Sequence, residues 1–260
     1  MFKKAVLGTV LAIVAGGACA GSFDVNELKT LKVHSYISDK GSNSHILEGD
    51  KKLVLLDFSS DPVSAKELSD YIAKLDKPVS KVIVSHVHPD GPHHAAVPAS
   101  AAYAPIYTFI DTKAQLEKAG LHKNTTINPI AVGKLTVAGV EVDITKGAQG
   151  TVKLSSVEEG LLWSHHSMYI GFHMPDISGK YVQMLNEYRK ADYQLYIGGH
   201  GLAAGADAPD IFEKYQKDCA KAIASSKTAE EAKEKIVAKY ANWHGGFMLD
   251  MILPYAYKGK

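Results

Sequence analysis

A short apolar run, KVIV at residues 81–84, leads directly into the stretch SHVHPDGPHH at residues 85–94. A run of this length that is rich in β-branched residues is typical of a buried strand. The ten residues behind it hold four histidines and one aspartate. The chain must therefore fold so that a buried strand ends at the edge of a sheet, where the polar side chains that follow it are not forced into the core.

Three polar groups in this stretch alternate along the chain: His86, His88 and Asp90. In an extended segment, residues two apart point to the same side, so these side chains can converge. Imidazole nitrogen and carboxylate oxygen are ligands that zinc accepts in catalytic sites, where an open position holds water. The alternative is a polar loop whose histidines face solvent. The spacing behind a buried strand favours a metal site.

The first half of the chain shows strand and helix patterns in succession. Within residues 28–59, the segments VHSYI, SHILEGD and LVLLDF predict a meander of short strands. Apolar residues at helical spacing predict a helix over residues 62–75. Behind KVIV, small residues suggest a short helix over residues 95–104, PIYTF a strand, and residues 112–119 another helix.

The second half repeats the pattern. The segments KLTVAGVEVDI, GTVKLSSV and GLLWS predict antiparallel strands, followed by a helix at residues 179–190 and the strand YQLYIGG. Two amphipathic helices are expected at residues 209–225 and 228–240, the second with a capping box of Thr228 and Glu231. Since no repeat or polar linker divides the chain, the sequence predicts one layered α/β sandwich, with two strand-rich halves sharing a core.

Residues 1–20 have the pattern of a secretory signal peptide. Two lysines precede an apolar stretch at residues 5–14, and small residues end in Ala18-Cys19-Ala20. A membrane anchor is the alternative, but this stretch is shorter than the roughly 20 residues that span a bilayer. We expect cleavage after Ala20, a periplasmic or secreted protein, and one domain over residues 21–260 with its last helices from about residue 209.

The charge balance excludes some partners. Cleavage would remove two of the 29 basic residues and none of the 28 acidic ones, which changes the formal charge from +1 to −1. This balance gives no electrostatic reason to bind nucleic acid or an anionic membrane, so we expect a small-molecule substrate and no stable membrane insertion after cleavage. Only Cys219 would remain, so no intrachain disulfide can form. The oligomeric state stays open.

The motif SHVHPD at residues 85–90 resembles the H-x-H-x-D motif of the metallo-β-lactamase superfamily. The upstream segment SNSHILEGDKKLVLLDF is similar to the first strands of that family, with Asp57 at its usual acidic position. Downstream, YIGGHG resembles the late strand and glycine turn that deliver a further metal histidine, here His200. The resemblance implies a four-layer αββα sandwich and a metal-dependent hydrolase.

The sequence departs from the family pattern at three places. Gly91-Pro92-His93-His94 follows Asp90 where the family usually has His-x-Gly-Gly, and TKGAQGTVKL has no histidine where members commonly place a metal ligand. Third, GLLWSHHSMY puts a histidine at or near the position of the aspartate that bridges two metals. The resemblance therefore implies an altered centre with one zinc ion rather than two; iron and manganese are alternatives.

The expected metal ligands are His86, His88, Asp90, His165 and His200. Four other residues remain open as replacements for the missing ligand: His93, His94, His166 and Gln149. Four further histidines are expected at the surface or in the core: His34, His45, His122 and His244. We also expect Ser85, Ser164 and Ser167 to donate hydrogen bonds that orient imidazoles.

A zinc ion held in this way would lower the pKa of a bound water towards about 7. Asp90 is the expected catalytic residue, because it could orient that water and pass its proton to the leaving group. The reaction would be hydrolysis of an ester, amide or lactam, thioester or phosphate bond. Two alternatives stay open: a non-hydrolytic iron or zinc metalloprotein, such as an oxidoreductase or sulfur-handling protein, and a non-catalytic binding protein of the same fold.

The loops expected to contact the substrate carry no obvious anchoring charge. They lie around His45, at residues 91–100 and at residues 172–179, and they hold aromatic and small side chains. Tyr169, Phe172 and Met174 could form an apolar wall there, although core packing explains these residues equally well. The sequence therefore leaves the substrate open.

Overall fold

Two β-sheets lie at the centre of the structure, a computed structural model that describes residues 21–38, 41–58, 61–87, 97–118 and 125–258. The first sheet has seven strands in the order β1 to β7, and the second has five in the order β12-β11-β10-β9-β8. In the first sheet, β1 to β4 are antiparallel neighbours, whereas β4 to β7 run parallel. The second sheet is antiparallel except for its parallel β11–β12 pair.

The strands of the first sheet are β1 (Gly21–Glu27), β2 (Lys32–Ser38), β3 (Asn43–Glu48), β4 (Leu53–Leu56), β5 (Val79–Ile83), β6 (Ile106–Thr108) and β7 (Ile127–Pro129). Those of the second are β8 (Gly133–Val137), β9 (Val140–Lys146), β10 (Val152–Ser156), β11 (Leu161–Ser164) and β12 (Leu195–Ile197). The helices are α1 (Pro62–Lys74), α2 (Ile110–Lys118), α3 (Lys180–Tyr188), α4 (Ala208–Ala224), α5 (Ala229–Lys239) and α6 (Gly246–Tyr257).

The core consists of three apolar layers. Between the sheets, Leu56 and Ile83 of the first sheet share a fully buried cluster with Trp163 of the second. A second cluster joins the outer face of the first sheet to α1 and α2. A third joins the outer face of the second sheet to α3, α4, α5 and α6, with Phe212 of α4 completely buried. This arrangement confirms the predicted four-layer αββα sandwich.

All but one of the predicted strands and helices are present, and the described residues add two strands and one α-helix: β1, β7 and α6. One predicted helix, at residues 95–104, is reduced to a single 3-10 turn at Ala99–Ala101, and its first two residues lie outside the described ranges. Pro98 precedes this turn and Pro105 follows it, and a residue before proline is disfavoured in helical conformation. No helix in the described ranges is both long and apolar enough to cross a membrane.

Candidate metal centre

The centre begins where two parallel strands of the first sheet end side by side. Asp57 follows β4 and Ser85 follows β5, and both are buried. Asp57 Oδ1 accepts a hydrogen bond from the backbone N–H of Ser85 at 2.7 Å, and its Oδ2 accepts one from Ser85 Oγ at 2.8 Å. Asp57 has a left-handed backbone with φ 53°, a conformation that Asp and Asn tolerate better than most residues. The carboxylate is thus fixed beneath the histidine motif.

His165 contacts this carboxylate from the opposite sheet. It lies in the turn behind β11 and is buried, with Nδ1 2.7 Å from Asp57 Oδ2. A carboxylate can only accept, so Nδ1 carries the proton of this hydrogen bond. In the neutral ring, Nε2 then holds the lone pair that a metal requires, and the carboxylate fixes both tautomer and ring orientation.

His86 is oriented by Ser85 in a similar way. Ser85 Oγ has a single proton, which it donates to Asp57, so it accepts the hydrogen bond from His86 Nδ1 at 2.8 Å. The same oxygen lies 3.1 Å from His165 Nδ1. His86 is only partly buried, in contrast to His165.

His166 completes a group of three imidazoles. Its Nε2 lies 2.9 Å from His86 Nε2, and its Nδ1 lies 3.0 Å from the hydroxyl of Tyr169. One nitrogen from each of His86, His165 and His166 falls within 4.8 Å of the others. Three imidazole nitrogens with hydrogen-bonded outer positions are a donor set that fits a transition metal such as zinc or iron.

His200 lies beside this group without being one of its three members. Its ring centre is 5.1 Å from that of His165, and its Nδ1 donates a hydrogen bond to the carbonyl of Gly41. The ring also stacks on Phe172, with 5.2 Å between centres. The resemblance-based ligand His200 is therefore close to the centre, and Gly41 and Phe172 contact its ring from outside the group of three.

The glycine turn before His200 makes room for His165. A Cβ atom on Gly199 would lie 2.2 Å from the His165 ring, and one on Gly198 would lie 2.5 Å from the carbonyl of Met168. The backbone N–H of Gly199 donates to the carbonyl of His165 at 3.1 Å. The segment GGHG therefore supports the centre by close backbone packing as well as by supplying a histidine.

His45 supports the same turn from the first sheet. It is buried, its Nε2 donates to the carbonyl of Gly198 at 2.8 Å, and its Nδ1 lies 2.9 Å from Ser35 Oγ. Burial lowers the pKa of His45 to about 4. His45 is thus a neutral core residue, as the sequence predicts.

The structure brings together His86 and His165 from the expected ligand set and places His200 next to them. The remaining two expected ligands, His88 and Asp90, lie outside the described residues, as do His93 and His94. Gln149 is solvent-exposed in a 3-10 turn behind β9. Of the residues left open as replacement ligands, His166 is the one that contacts the centre in the described part of the chain.

Two residues of the centre were not assigned a part in it from sequence. Tyr169 was expected only as part of an apolar wall, but its hydroxyl is hydrogen-bonded to His166. The Asp57 carboxylate accepts hydrogen bonds from both Ser85 and His165. Ser85 orients the His86 imidazole, but as an acceptor of its Nδ1–H rather than as the expected donor, because its proton goes to Asp57. Ser167 instead donates to the carbonyl of Ser164 at 3.2 Å, and Ser164 Oγ has no partner among the described residues. A buried acid at the end of a strand was the sequence signal for Asp57.

Fold and centre together define a class: an αββα sandwich with a histidine centre where two of its strands end. The sequence profile of the metallo-beta-lactamase superfamily matches residues 37–170, which is more than half of the 260-residue chain. The chain therefore belongs to the metallo-beta-lactamase superfamily. Its fold binds metal ions, and the histidine group described above is the candidate site in this chain.

Solved structures support the fold. A metallo-beta-lactamase from Hirschia baltica is 17% identical with a TM-score of 0.52, over 72% of this chain and 94% of that one. The metallo-beta-lactamase FIM-1 from Pseudomonas aeruginosa, in its mono-zinc form, is 15% identical with a TM-score of 0.55, over 76% of this chain and 95% of that one. A variant of the flavo di-iron protein from Thermotoga maritima is 16% identical with a TM-score of 0.55, over 78% of this chain and 62% of that one. The search of curated proteins gave no match.

Proposed function

We propose that this protein is an exported, zinc-dependent hydrolase that cleaves an ester, amide or lactam, thioester or phosphate bond. The observation that carries the proposal is the hydrogen bonding behind the three imidazoles. Asp57, Ser85 and Tyr169 each hold the outer nitrogen of a histidine, an arrangement typical of metal ligands. When bound, zinc would supply Lewis acidity and a water of lowered pKa.

The residues of the chain supply the rest of the chemistry. Asp57 keeps His165 in the tautomer that presents Nε2, and Ser85 transmits the same constraint to His86. His165 and His166 are buried while His86 and His200 are partly exposed, so a substrate would approach from the side of the latter two. Asp90 remains our proposed proton carrier, because its carboxylate follows His86 and His88 at alternating positions.

Metal content is the first test. We expect about one zinc per chain after purification or titration, measured by inductively coupled plasma mass spectrometry. His86→Ala and His165→Ala should lose the metal, whereas His34→Gln, which changes a histidine outside the centre, should retain it. A protein that neither contains nor takes up a transition metal would contradict the proposal.

Activity is the second test. We expect zinc-loaded protein to hydrolyse at least one member of a panel of chromogenic esters, lactams, thioesters and phosphates, and His86→Ala to abolish that turnover. Metal binding without turnover of any member would oppose the hydrolase proposal.

An iron-dependent oxidoreductase is the second candidate. Three imidazoles suit iron as well as zinc, and a flavo di-iron protein is among the structures with this fold. Loading the protein with iron or zinc in parallel separates the two candidates. Dioxygen consumption with a reductant, seen only in the iron form and lost in His86→Ala, would favour the oxidoreductase.

Export is a proposal of its own. Cleavage after Ala20 would leave Gly21, the first residue of β1, at the amino terminus, so every described strand would be retained. The test is intact mass spectrometry of protein from the periplasmic fraction. A mass that starts at Gly21 supports export, and full-length protein in the cytoplasmic fraction contradicts it.

A further inference from the structure

A cavity of about 370 Å³ lies beside the candidate metal centre. Its size is within the range of pockets that bind small molecules. The described residues around it come from β1, the β2–β3 hairpin, the loops behind β11 and β12, and the start of α6 with the segment before it. The residues that matter here are Ile37, Asn43, Phe172, Leu202, His244 and Phe247.

His200 links the wall of this cavity to the group of three imidazoles. Gly41 and Phe172 both line the cavity, and both contact His200: the Gly41 carbonyl accepts its Nδ1–H, and the Phe172 ring stacks on it. The His200 ring is in turn 5.1 Å from His165. A molecule that fills the cavity would therefore lie next to the centre.

The segment before α6, residues 243–245, forms one wall of the cavity and is bound to the loop behind β11 and to α4. The backbone N–H of His244 donates to the carbonyl of Gly171, and the N–H of His173 donates to the carbonyl of His244, both at 2.8 Å. Trp243 stacks on buried Tyr215 of α4 with 4.3 Å between ring centres. These contacts fix the first turn of α6, and with it Phe247, at the rim of the cavity.

The approach of this segment to Phe172 depends on glycine. Gly245 has φ +74°, and a Cβ atom there would lie 2.6 Å from the Phe172 ring. Gly41 has φ +82°, and its Cβ would lie 3.1 Å from the same ring. Two glycines thus approach the Phe172 ring closely, and this ring lines the cavity.

The chemistry of the wall indicates the class of ligand. Ile37, Phe172, Leu202 and Phe247 supply apolar surface, and none of the described residues around the cavity is Lys, Arg, Asp or Glu. Burial of a charged group without a partner is costly, whereas an alkyl or aryl group gains from removal from water. We propose that this cavity binds a neutral alkyl or aryl part of the substrate and that Phe247 determines which groups it accepts.

This inference rests on the proposed hydrolase function for its kinetic part, so binding is measured first. The probe is the neutral fluorophore N-phenyl-1-naphthylamine, titrated into metal-loaded protein. We expect Phe247→Ala to weaken binding about tenfold, the loss of roughly 1.4 kcal/mol of apolar contact. Met251→Ala is the matched control, because Met251 is one turn further along α6, is similarly exposed and does not line the cavity.

Competition tests the charge preference. Hexanamide should displace the probe, and 6-aminohexanamide, which has nearly the same length and a positive charge, should displace it at least tenfold less well. Equal effects of Phe247→Ala and Met251→Ala, or equal competition by the two amides, would overturn the inference.

Kinetics then separate the two proposals. With p-nitrophenyl esters of increasing acyl length, we expect Phe247→Ala to raise KM more for long acyl chains than for acetate, with kcat little changed. Turnover that is the same in wild type and Phe247→Ala for every ester overturns the cavity inference and leaves the hydrolase intact. Absence of turnover with every ester, lactam, thioester and phosphate of the panel, together with probe binding lost in Phe247→Ala, overturns the hydrolase and leaves the cavity.

Discussion

Asp57 is the residue on which the orientation of the centre depends. Within the described ranges its two oxygens accept hydrogen bonds from the backbone and hydroxyl of Ser85 and from Nδ1 of His165. The buried carboxylate therefore links the ends of β4 and β5 to the opposite sheet. A change at Asp57 should alter metal binding although the residue contributes no atom to the group of three nitrogens.

We expect Asp57→Asn to reduce zinc affinity by about 10- to 100-fold. Asparagine tolerates the left-handed backbone at this position and keeps one acceptor oxygen, so the fold should persist. Competition with a chromogenic chelator measures the affinity, and circular dichroism monitors the fold. Asp70→Asn, an exposed position on α1, is the control, and equal affinities of the two variants would contradict the role of Asp57.

His45 predicts a dependence of stability on pH. Its pKa is about 4 in the folded protein and about 6.5 in the unfolded chain, so the unfolded state binds the proton more strongly between these values. The contribution of His45 to stability is therefore complete above pH 6.5 and is lost as pH falls towards 4. Between pH 7.5 and pH 5 the loss should be about 2 kcal/mol.

Urea unfolding in the presence of a chelator, at pH 7.5 and pH 5, measures this effect. His45→Gln keeps a donor for Gly198 and an acceptor for Ser35 but does not titrate. The fall in the free energy of unfolding should be about 2 kcal/mol smaller in this variant than in wild type. An equal fall in both proteins would assign the acid sensitivity to other groups.

The sequence shows which residue types can bind metal but not how a turn places them. Neighbouring residues of an extended strand point to opposite faces, which argues against His165 and His166 sharing a site. Both lie in the turn behind β11, where this rule no longer applies, and both rings face His86. The sequence spacing therefore could not show that His166 belongs to the centre.

Among the structural elements, the turn behind β12 imposes the strictest packing requirement on the centre. Any side chain at Gly199 must displace the His165 ring, because a Cβ atom would overlap it. We expect Gly199→Ala to lower stability by about 1–3 kcal/mol and to weaken zinc binding at least tenfold. Thermal unfolding and chelator competition provide the two measurements.

Gly246→Ala is the control for this prediction. Apart from its chain neighbours and the backbone of its own helix, no described atom lies within 4 Å of the position of its Cβ, and its φ is not in the left-handed region. Its stability and zinc affinity should remain close to those of wild type. If Gly199→Ala behaved in the same way, the close packing of the turn against His165 would have no role in the centre.

Regular periodicity made most elements predictable, and the exceptions have physical reasons. KVIV and LVLLDF are apolar on both faces because their strands are internal to the first sheet. β1 pairs only with β2 at the sheet edge, so it can carry the mostly polar sequence GSFDVNE without a recognisable pattern. α6 begins at Gly246, the second of two consecutive glycines, and contains Pro254, signals that argue against a helix in sequence alone.

At the scale of the whole molecule, the centre connects the two sheets. His86 and Asp57 follow strands of the first sheet, whereas His165 and His166 follow β11 of the second. A metal ion held by these histidines would cross-link the layers and bind only the folded chain. Metal binding should therefore contribute to the stability of the entire domain.

We expect zinc at about 1,000 times its dissociation constant to stabilise the protein by about 4 kcal/mol. For a domain of this size that corresponds to a rise of roughly 10 °C in Tm. Differential scanning calorimetry with zinc and with a chelator measures the difference, which should vanish in His86→Ala. A Tm that does not respond to zinc in wild-type protein would oppose a metal between the sheets.

The meeting of β1 and α6 at the cavity has a practical consequence for handling the protein. Ser22 lines the cavity, so an affinity tag that replaces residues 1–20 would begin next to the opening and could block it. The end of α6 at Tyr257 is ten residues beyond Phe247, about 15 Å away along the helix axis. Protein made for activity assays should therefore carry its affinity tag at the carboxyl terminus.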